Sequence, residues 1–255
     1  MNRRSFVQQT AAVAGGLLFP RTNPRTRHLI FIVNGGGVRK KDYYENAALA
    51  SNVRRLAADA FVFEESHCEQ IASHAAAFEQ LVRGRETTAG HATPTILDYI
   101  GGGCEVYSIA SIPQVMRRLR PRILISKSTA HDVGHESYEH YLHRVKATDD
   151  AIGRVFDWVR ADPVFCDNTA IVIRPEFGRD DEVNVYGSLH HSYGFYYTHR
   201  VASIFWGPDF NRGVDQKTAV RAVDMAPTLT KIFGIDATYA QGRVAPGLFR
   251  TDSAS

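Results

Sequence analysis

The chain has 255 residues, 44% hydrophobic and 22% charged, enough for one substantial core and too apolar for a wholly disordered polypeptide. Its formal charge is +3, but residues 1–27 carry five arginines and no acid, so the remainder sums to −2. Nucleic-acid binding needs clustered basic residues on the folded body. The one cluster left, Arg117-Arg118-Leu119-Arg120-Pro121-Arg122, reads as a solvated helix end, and no nucleic-acid partner is expected.

Asn2-Arg3-Arg4-Ser5-Phe6 precedes a mildly apolar run from Thr10 to Phe19. A charged segment before an apolar run too short for a bilayer reads as a secretory signal. Paired arginines before Ser-Phe resemble the twin-arginine export signal. That implies a periplasmic or otherwise extracytoplasmic protein, with the twin-arginine translocase as a partner during export. Residues 1–27 are expected to be signal and polar linker, with no stable membrane span apart from that leader. Residues 28–255 are expected to form one domain. Cys68, Cys104 and Cys166 are an odd number without a Cys-x-x-Cys spacing, which argues against a disulfide framework.

His28 to Asn34 reads as a buried strand running into the glycine turn Gly35-Gly36-Gly37, where the backbone approaches something closely. No dinucleotide-binding or Walker fingerprint follows. Tyr44 to Asp59 has apolar residues at helical spacing, and Phe61 to Phe63 suggests a short strand. Glu64 to His74 then crowds hydroxyl, thiol and imidazole groups before a helix over Ala75 to Val82. Cys68 or Ser73 there is a nucleophile at a helix N-terminus, or Cys68 packs inside behind a polar cap. Thr93 to Ile100 is expected to be a helix started by Pro94. Cys104 to Ile109 and Arg122 to Ser126 are strand candidates, the second leading into His131-Asp132-Val133-Gly134-His135.

Tyr138 to Val159 is the most periodic helix. Ala170 to Ile173 is a buried strand followed by Glu176-Phe177-Gly178-Arg179 and the loop Leu189-His190-His191. Val201 to Gly207 is one more strand. Asp224 reads as a cap or near-cap of a helix with Pro227 in its first turn. Alternating strands and helices predict an α/β fold, a mostly parallel central sheet with helices on both faces. Ligands of such sheets bind beyond the carboxyl ends of strands. Asp132 with His135, Glu176, and His190 with His191 all follow strands, so they are expected to converge on a divalent metal.

Leu29-Ile-Phe-Ile-Val-Asn-Gly-Gly, Asp132-Val-Gly-His135, Asn168-Thr-Ala-Ile-Val-Ile-Arg-Pro-Glu-Phe-Gly178, His191, Phe205-Trp-Gly-Pro208 and Val223-Asp-Met-Ala-Pro-Thr-Leu229 follow in this order. The series resembles the alkaline phosphatase superfamily, which includes sulfatases and nucleotide phosphodiesterases. Similar still are mostly uncharacterised bacterial members with a twin-arginine leader and a Ser-Glu-Phe-Gly-Arg motif, for which Pro175-Glu-Phe-Gly-Arg179 stands here. The resemblance implies an alkaline-phosphatase-like core, two divalent metals (zinc, manganese or calcium) and a Ser, Thr or formylglycine nucleophile. Its substrates would be small anionic phosphate or sulfate esters. Asn34 stands where the first-strand aspartate ligand is usual, and Glu176-Phe177-Gly178 replaces the usual Asp-His-Gly. Asn34, Asp132, His135, Glu176 and His191 are therefore the expected metal residues, and Cys68 and Ser73 the candidate nucleophiles. The alternative is a superfamily member that has lost catalysis and serves as an envelope binding or structural protein.

Overall fold

The computed structural model describes residues 25–71, 73–86 and 93–251; the twin-arginine segment lies outside them. Eight strands form one sheet: β1 (His28–Asn34), β2 (Phe61–His67), β3 (Gly103–Val106), β4 (Ile123–Ser128), β5 (Thr169–Pro175), β6 (Arg200–Trp206), β7 (Gly213–Asp215) and β8 (Val220–Arg221). The order is β3-β4-β1-β5-β6-β2-β7, with β8 also on β2. Every pairing is parallel except the two made by β6, which runs against all its companions. Helices α1 (Ser51–Ala57), α2 (His74–Arg83), α3 (Ile96–Ile100), α4 (Ile112–Leu119), α5 (Tyr138–Ala161), α6 (Tyr196–His199) and α7 (Met225–Lys231) complete it.

Period-two alternation along β1 divides the core. Ile30 and Ile32 pack with Val53 of α1, Met116 of α4 and Ile152 and Phe156 of α5 on one face. Leu29, Phe31 and Val33 pack with Phe78 of α2, Ile96 of α3 and Leu229 of α7 on the other. Each fully buried aliphatic or aromatic side chain contributes roughly 1.5–3 kcal/mol, so β1 is held by both layers at once. None of the helices among the described residues is long and apolar enough to cross a membrane.

Several boundaries differ from the sequence reading. The helix expected from Tyr44 is interrupted: a π-helical turn spans Lys41–Glu45, and α1 begins only at Ser51. Asn46 breaks the run, its side chain accepting from the backbone N–H groups of Ala48 (3.0 Å) and Leu49 (3.4 Å). Helix α3 starts not at Pro94 but behind a capping box, Thr95 with Asp98. Asp224 holds the N-cap position of α7 as expected, but its side chain makes no cap hydrogen bond there. Its carboxylate accepts from the N–H groups of Arg221 and Arg243, both at 2.8 Å, and ties two loops together. All three cysteines are free thiols.

The register sets up the functional edge. Asn34 of β1 lies level with Ser128 of β4 and Pro175 of β5, so three adjacent parallel strands end together. Gly35–Gly37, the turn carrying Asp132 and the segment Glu176–Arg179 follow at that line. A Cβ on Gly35 would lie 2.3 Å from the Ser128 carbonyl oxygen. One on Gly36, whose φ is +89°, would lie 2.4 Å from the Asp132 nitrogen. The glycine turn is what lets the Asp132 turn close over the end of β1.

Candidate metal centre

Asp132 belongs to a six-residue 3-10 turn, Ala130–His135, that follows β4. Its Oδ1 is a point of convergence: His74 Nε2 is 3.2 Å away, His135 Nε2 3.3 Å and His191 Nε2 3.9 Å. The Arg179 guanidinium donates to the same oxygen at 3.1 Å. One ligand atom each from His74, Asp132 and His191 lies within 4.8 Å of the others, a grouping able to hold a metal ion. Two ligands about 2.0–2.1 Å from a tetrahedral zinc ion stand about 3.3 Å apart, close to the His74 and His135 separations from Asp132. His135 approaches Asp132 while its Nδ1 contacts Nδ1 of His190 at 2.8 Å, and His190 Nε2 lies 3.2 Å from the Ser188 hydroxyl.

The orphaned atoms point the same way. Both ring nitrogens of His191 are buried without a hydrogen-bond partner, and so is Oε2 of Glu176. Burial, with the Arg179 cation beside it, pushes the His191 imidazole down to about 4, so the ring is neutral at physiological pH with a lone pair to offer. Burial lowers His135 as well. His74 moves the other way: its hydrogen bond to Glu176 is the main cause that raises it, and Asp132 adds to this. The donor set fits one divalent ion. Being rich in imidazole with one carboxylate, it suits zinc better than calcium, which prefers oxygen ligands.

His74 is the residue sequence reasoning passed over as a ligand. It begins α2, whose N-cap Ser73 accepts from the Ala76 N–H at 3.3 Å. Its ring stacks on Phe177 with centroids 5.1 Å apart. Only the packing of α2 on the sheet brings it to Asp132, 58 positions away by sequence number. The signal present was its place in the polar crowd before the helix.

Glu176 sits behind this group. Its Oε1 accepts from the Gly36 N–H at 2.7 Å and from Nδ1 of His74, so it meets the cluster through that imidazole. Arg179 is fully buried and donates to the carbonyls of Gly36, Gly37, Leu189 and His131 as well as to Asp132. It laces together the three loops that carry the site.

Asn34 is elsewhere. It lines a small cavity under α5 with Tyr43, His131, Thr148 and Asp149, its Oδ1 buried and unpartnered. Cys68 is 2% exposed, with its sulfur 3.4 Å from a guanidinium nitrogen of Arg174. Burial outweighs that cation and pushes the thiol up to about 11, so it is not a thiolate nucleophile at neutral pH. Ser73 is exposed and adjoins His74 in the chain.

The sequence matches no family model and no curated protein. The fold, in contrast, is similar to solved structures. A 2-O GAG sulfatase superposes with a TM-score of 0.62 at 11% identity, over 82% of this chain and 71% of the other. A protein in the alkaline phosphatase superfamily from Vibrio parahaemolyticus gives 0.62 at 14% identity, over 86% and 69%. With its eight-stranded, mostly parallel sheet and helices on both faces, the chain has an alkaline-phosphatase-like and sulfatase-like α/β fold.

Proposed function

We propose that the protein is an exported, metal-dependent hydrolase of phosphate or sulfate esters, working with a single divalent ion. The observation that carries this reading is the convergence of His74, His135 and His191 on one oxygen of Asp132 beyond the carboxyl ends of three parallel strands. Export, a periplasmic destination and the translocase as partner rest on the Arg3-Arg4-Ser5-Phe6 leader.

Asp132, His74 and His191 would hold the ion, with His135 beside them. When bound, it supplies charge neutralisation at the ester oxygens and polarisation of the attacked centre. The chain's own residues do the rest. Glu176 accepts the Nδ1 proton of His74 and thereby turns Nε2 toward Asp132. Arg179 fixes the Asp132 carboxylate. The Ser73 hydroxyl, exposed at the start of α2, is the candidate nucleophile: its oxygen would bond to phosphorus or sulfur as the bond to the ester's alcohol or phenol breaks, the leaving oxygen would take up the hydroxyl proton, and water would then release phosphate or sulfate from Ser73. Turnover of an aryl phosphate, an aryl phosphodiester or an aryl sulfate, lost in Asp132→Asn, tests the reading. Equal turnover in Asp132→Asn and the wild type refutes it.

Two positions favour a second reading, a non-catalytic envelope binding protein. Asn34 points away from Asp132 into the cavity under α5, and Phe177, where the family has a histidine, stacks on His74. Neither supplies a second metal. That reading predicts no turnover on any of the three ester classes with zinc, manganese or calcium added.

A further inference from the structure

Exposed apolar surface is concentrated beside the cluster. Seven of the thirteen large apolar side chains exposed among the described residues lie between Val183 and Tyr197, in the loop that carries His190 and His191. The chain between the two exposed stretches dips inward. Ser188 and Leu189 are buried there, and the Leu189 N–H donates to the Gly134 carbonyl at 2.7 Å. Leaving neighbouring rings in water is unfavourable, and an apolar patch kept exposed in one place marks a binding surface.

The stretch after the histidines is fixed at the functional edge. β6 runs against β5, so its first residue, Arg200, lies where β5 ends. Tyr193 is two residues past His191, which bounds their Cα separation to about 7 Å. Asp180 clamps both ends, accepting from the Ser192 N–H and hydroxyl, each at 2.6 Å, and from the Thr198 hydroxyl at 3.2 Å. The Gly178 N–H donates to the Thr198 carbonyl at 2.8 Å. The His199 ring bridges the carbonyls of Cys68 and Tyr193, at 2.7 and 2.8 Å. Tyr196 is committed: its hydroxyl donates to Glu65 at 3.2 Å, and the Arg200 guanidinium lies over its ring. Tyr193, Phe195 and Tyr197 remain open, at 69%, 54% and 48% exposure. The hydroxyls of Tyr193 and Tyr197 have no hydrogen-bond partner among the described residues.

The chemistry of this rim selects its ligand. From Asp180 to His199 there are three carboxylates and no lysine or arginine, which disfavours a polyanion or an anionic membrane surface. Aromatic faces favour a flat apolar surface, and free phenol hydroxyls favour polar groups at its edge. A pyranose ring offers both, with C–H bonds on its faces and hydroxyls around its rim. We infer that Tyr193, Phe195 and Tyr197 bind an uncharged sugar ring that forms the alcohol side of the ester. Rings already held by their neighbours lose little freedom on binding, so the platform is pre-organised. The inference rests on the hydrolase reading above and deepens it, since that reading leaves the alcohol open.

The first test follows neutral methyl pyranosides (glucoside, galactoside, mannoside and N-acetylglucosaminide) by saturation-transfer NMR on the full chain, without metal. Transfer to the C–H protons of at least one sugar is expected in the wild type. It is lost in a Tyr193→Ala/Tyr197→Ala double variant that unfolds in urea like the wild type. The second test compares kcat/KM for hexose phosphates and hexose sulfates with the ethyl esters of the same acids, with zinc added. The sugar esters are preferred about tenfold or more, and the preference collapses toward unity in the double variant. No transfer to any pyranoside, unchanged transfer in the double variant, or no preference for the sugar esters overturns the inference. So does a concentration-dependent dimer, seen by sedimentation, that the double variant abolishes, because the rim then belongs to a second copy. Lack of turnover on every ester, by contrast, refutes the parent reading, and the NMR measurement still decides the role of the rim.

Discussion

Glu176 grips His74 from behind: the carboxylate takes the Nδ1 side of the ring, and Nε2 is left 3.2 Å from Asp132. A carboxylate behind a ligating imidazole fixes its tautomer and aim, and such partners matter about as much as the ligands. The same oxygen also holds the Gly36 N–H, so one buried group sets both the glycine turn and the ring. Glu176→Gln should fold, because an amide oxygen still accepts from Gly36. It should weaken zinc affinity by roughly 10–100-fold in a competition titration with a chromophoric chelator. Wild-type affinity in Glu176→Gln would show that the ring is aimed by other contacts.

Metal binding should expel protons. Glu176 and Asp132 both favour the charged form of His74, whereas a ligand must be neutral. Zinc affinity should therefore rise with pH through the neutral range. Calorimetry in buffers of different ionisation enthalpy should show net proton release. No release at pH 7 would mean that His74 already binds as a neutral ring.

His131 makes a separate prediction about stability. Its Nδ1 donates to the Gly35 carbonyl at 2.9 Å and its Nε2 accepts from the Thr148 hydroxyl at 3.0 Å, the pattern of a neutral ring. Burial holds it down to about 4, against an ordinary value of 6.5. The folded state thus binds fewer protons than the unfolded state between those values. Stability is full above pH 6.5 and falls as pH drops toward 4, by about 3 kcal/mol from this group alone. Urea unfolding at pH 7 and pH 5 should show a smaller difference in His131→Gln than in the wild type. An equal difference would assign the acid sensitivity to other groups.

Arg179 should be a stability determinant first. Replacing it with Met leaves four buried carbonyls and Asp132 without their donor, a loss of about 3–5 kcal/mol by urea unfolding. A loss below about 1 kcal/mol would mean that the three loops hold together without it.

The fold was readable because its signals are local. β1 and β5 are short apolar runs and α5 is a long run of helical period, and their alternation along the chain predicts the mostly parallel sheet, though not the order of its strands. The direction of β6 was not readable, since its apolar run Val201 to Phe205 reads the same in either sense. For the site, histidines and acids after strands are visible in sequence, and Asp132, His135 and His191 are near one another in the structure. His74 was hidden because a helix start says nothing about which sheet edge it meets. Glu176 could be placed at the edge, but its position behind His74 depends on the closure of Gly36 over it. Asn34 ends β1 as expected, yet its side chain takes the α5 face because the strand alternates, with Ile30 and Ile32 on that side. Cys68 could not be assigned in advance, because Arg174 and the surrounding core are brought to it from distant parts of the chain.

The most direct measurement of the account is metal content by elemental mass spectrometry, on the full chain purified without a histidine tag or chelator. Near-stoichiometric divalent metal is expected in the wild type, lost in His191→Ala and Asp132→Asn while both remain folded by circular dichroism. Folded wild-type protein without metal, and with no thermal shift on adding zinc, manganese or calcium, would contradict it.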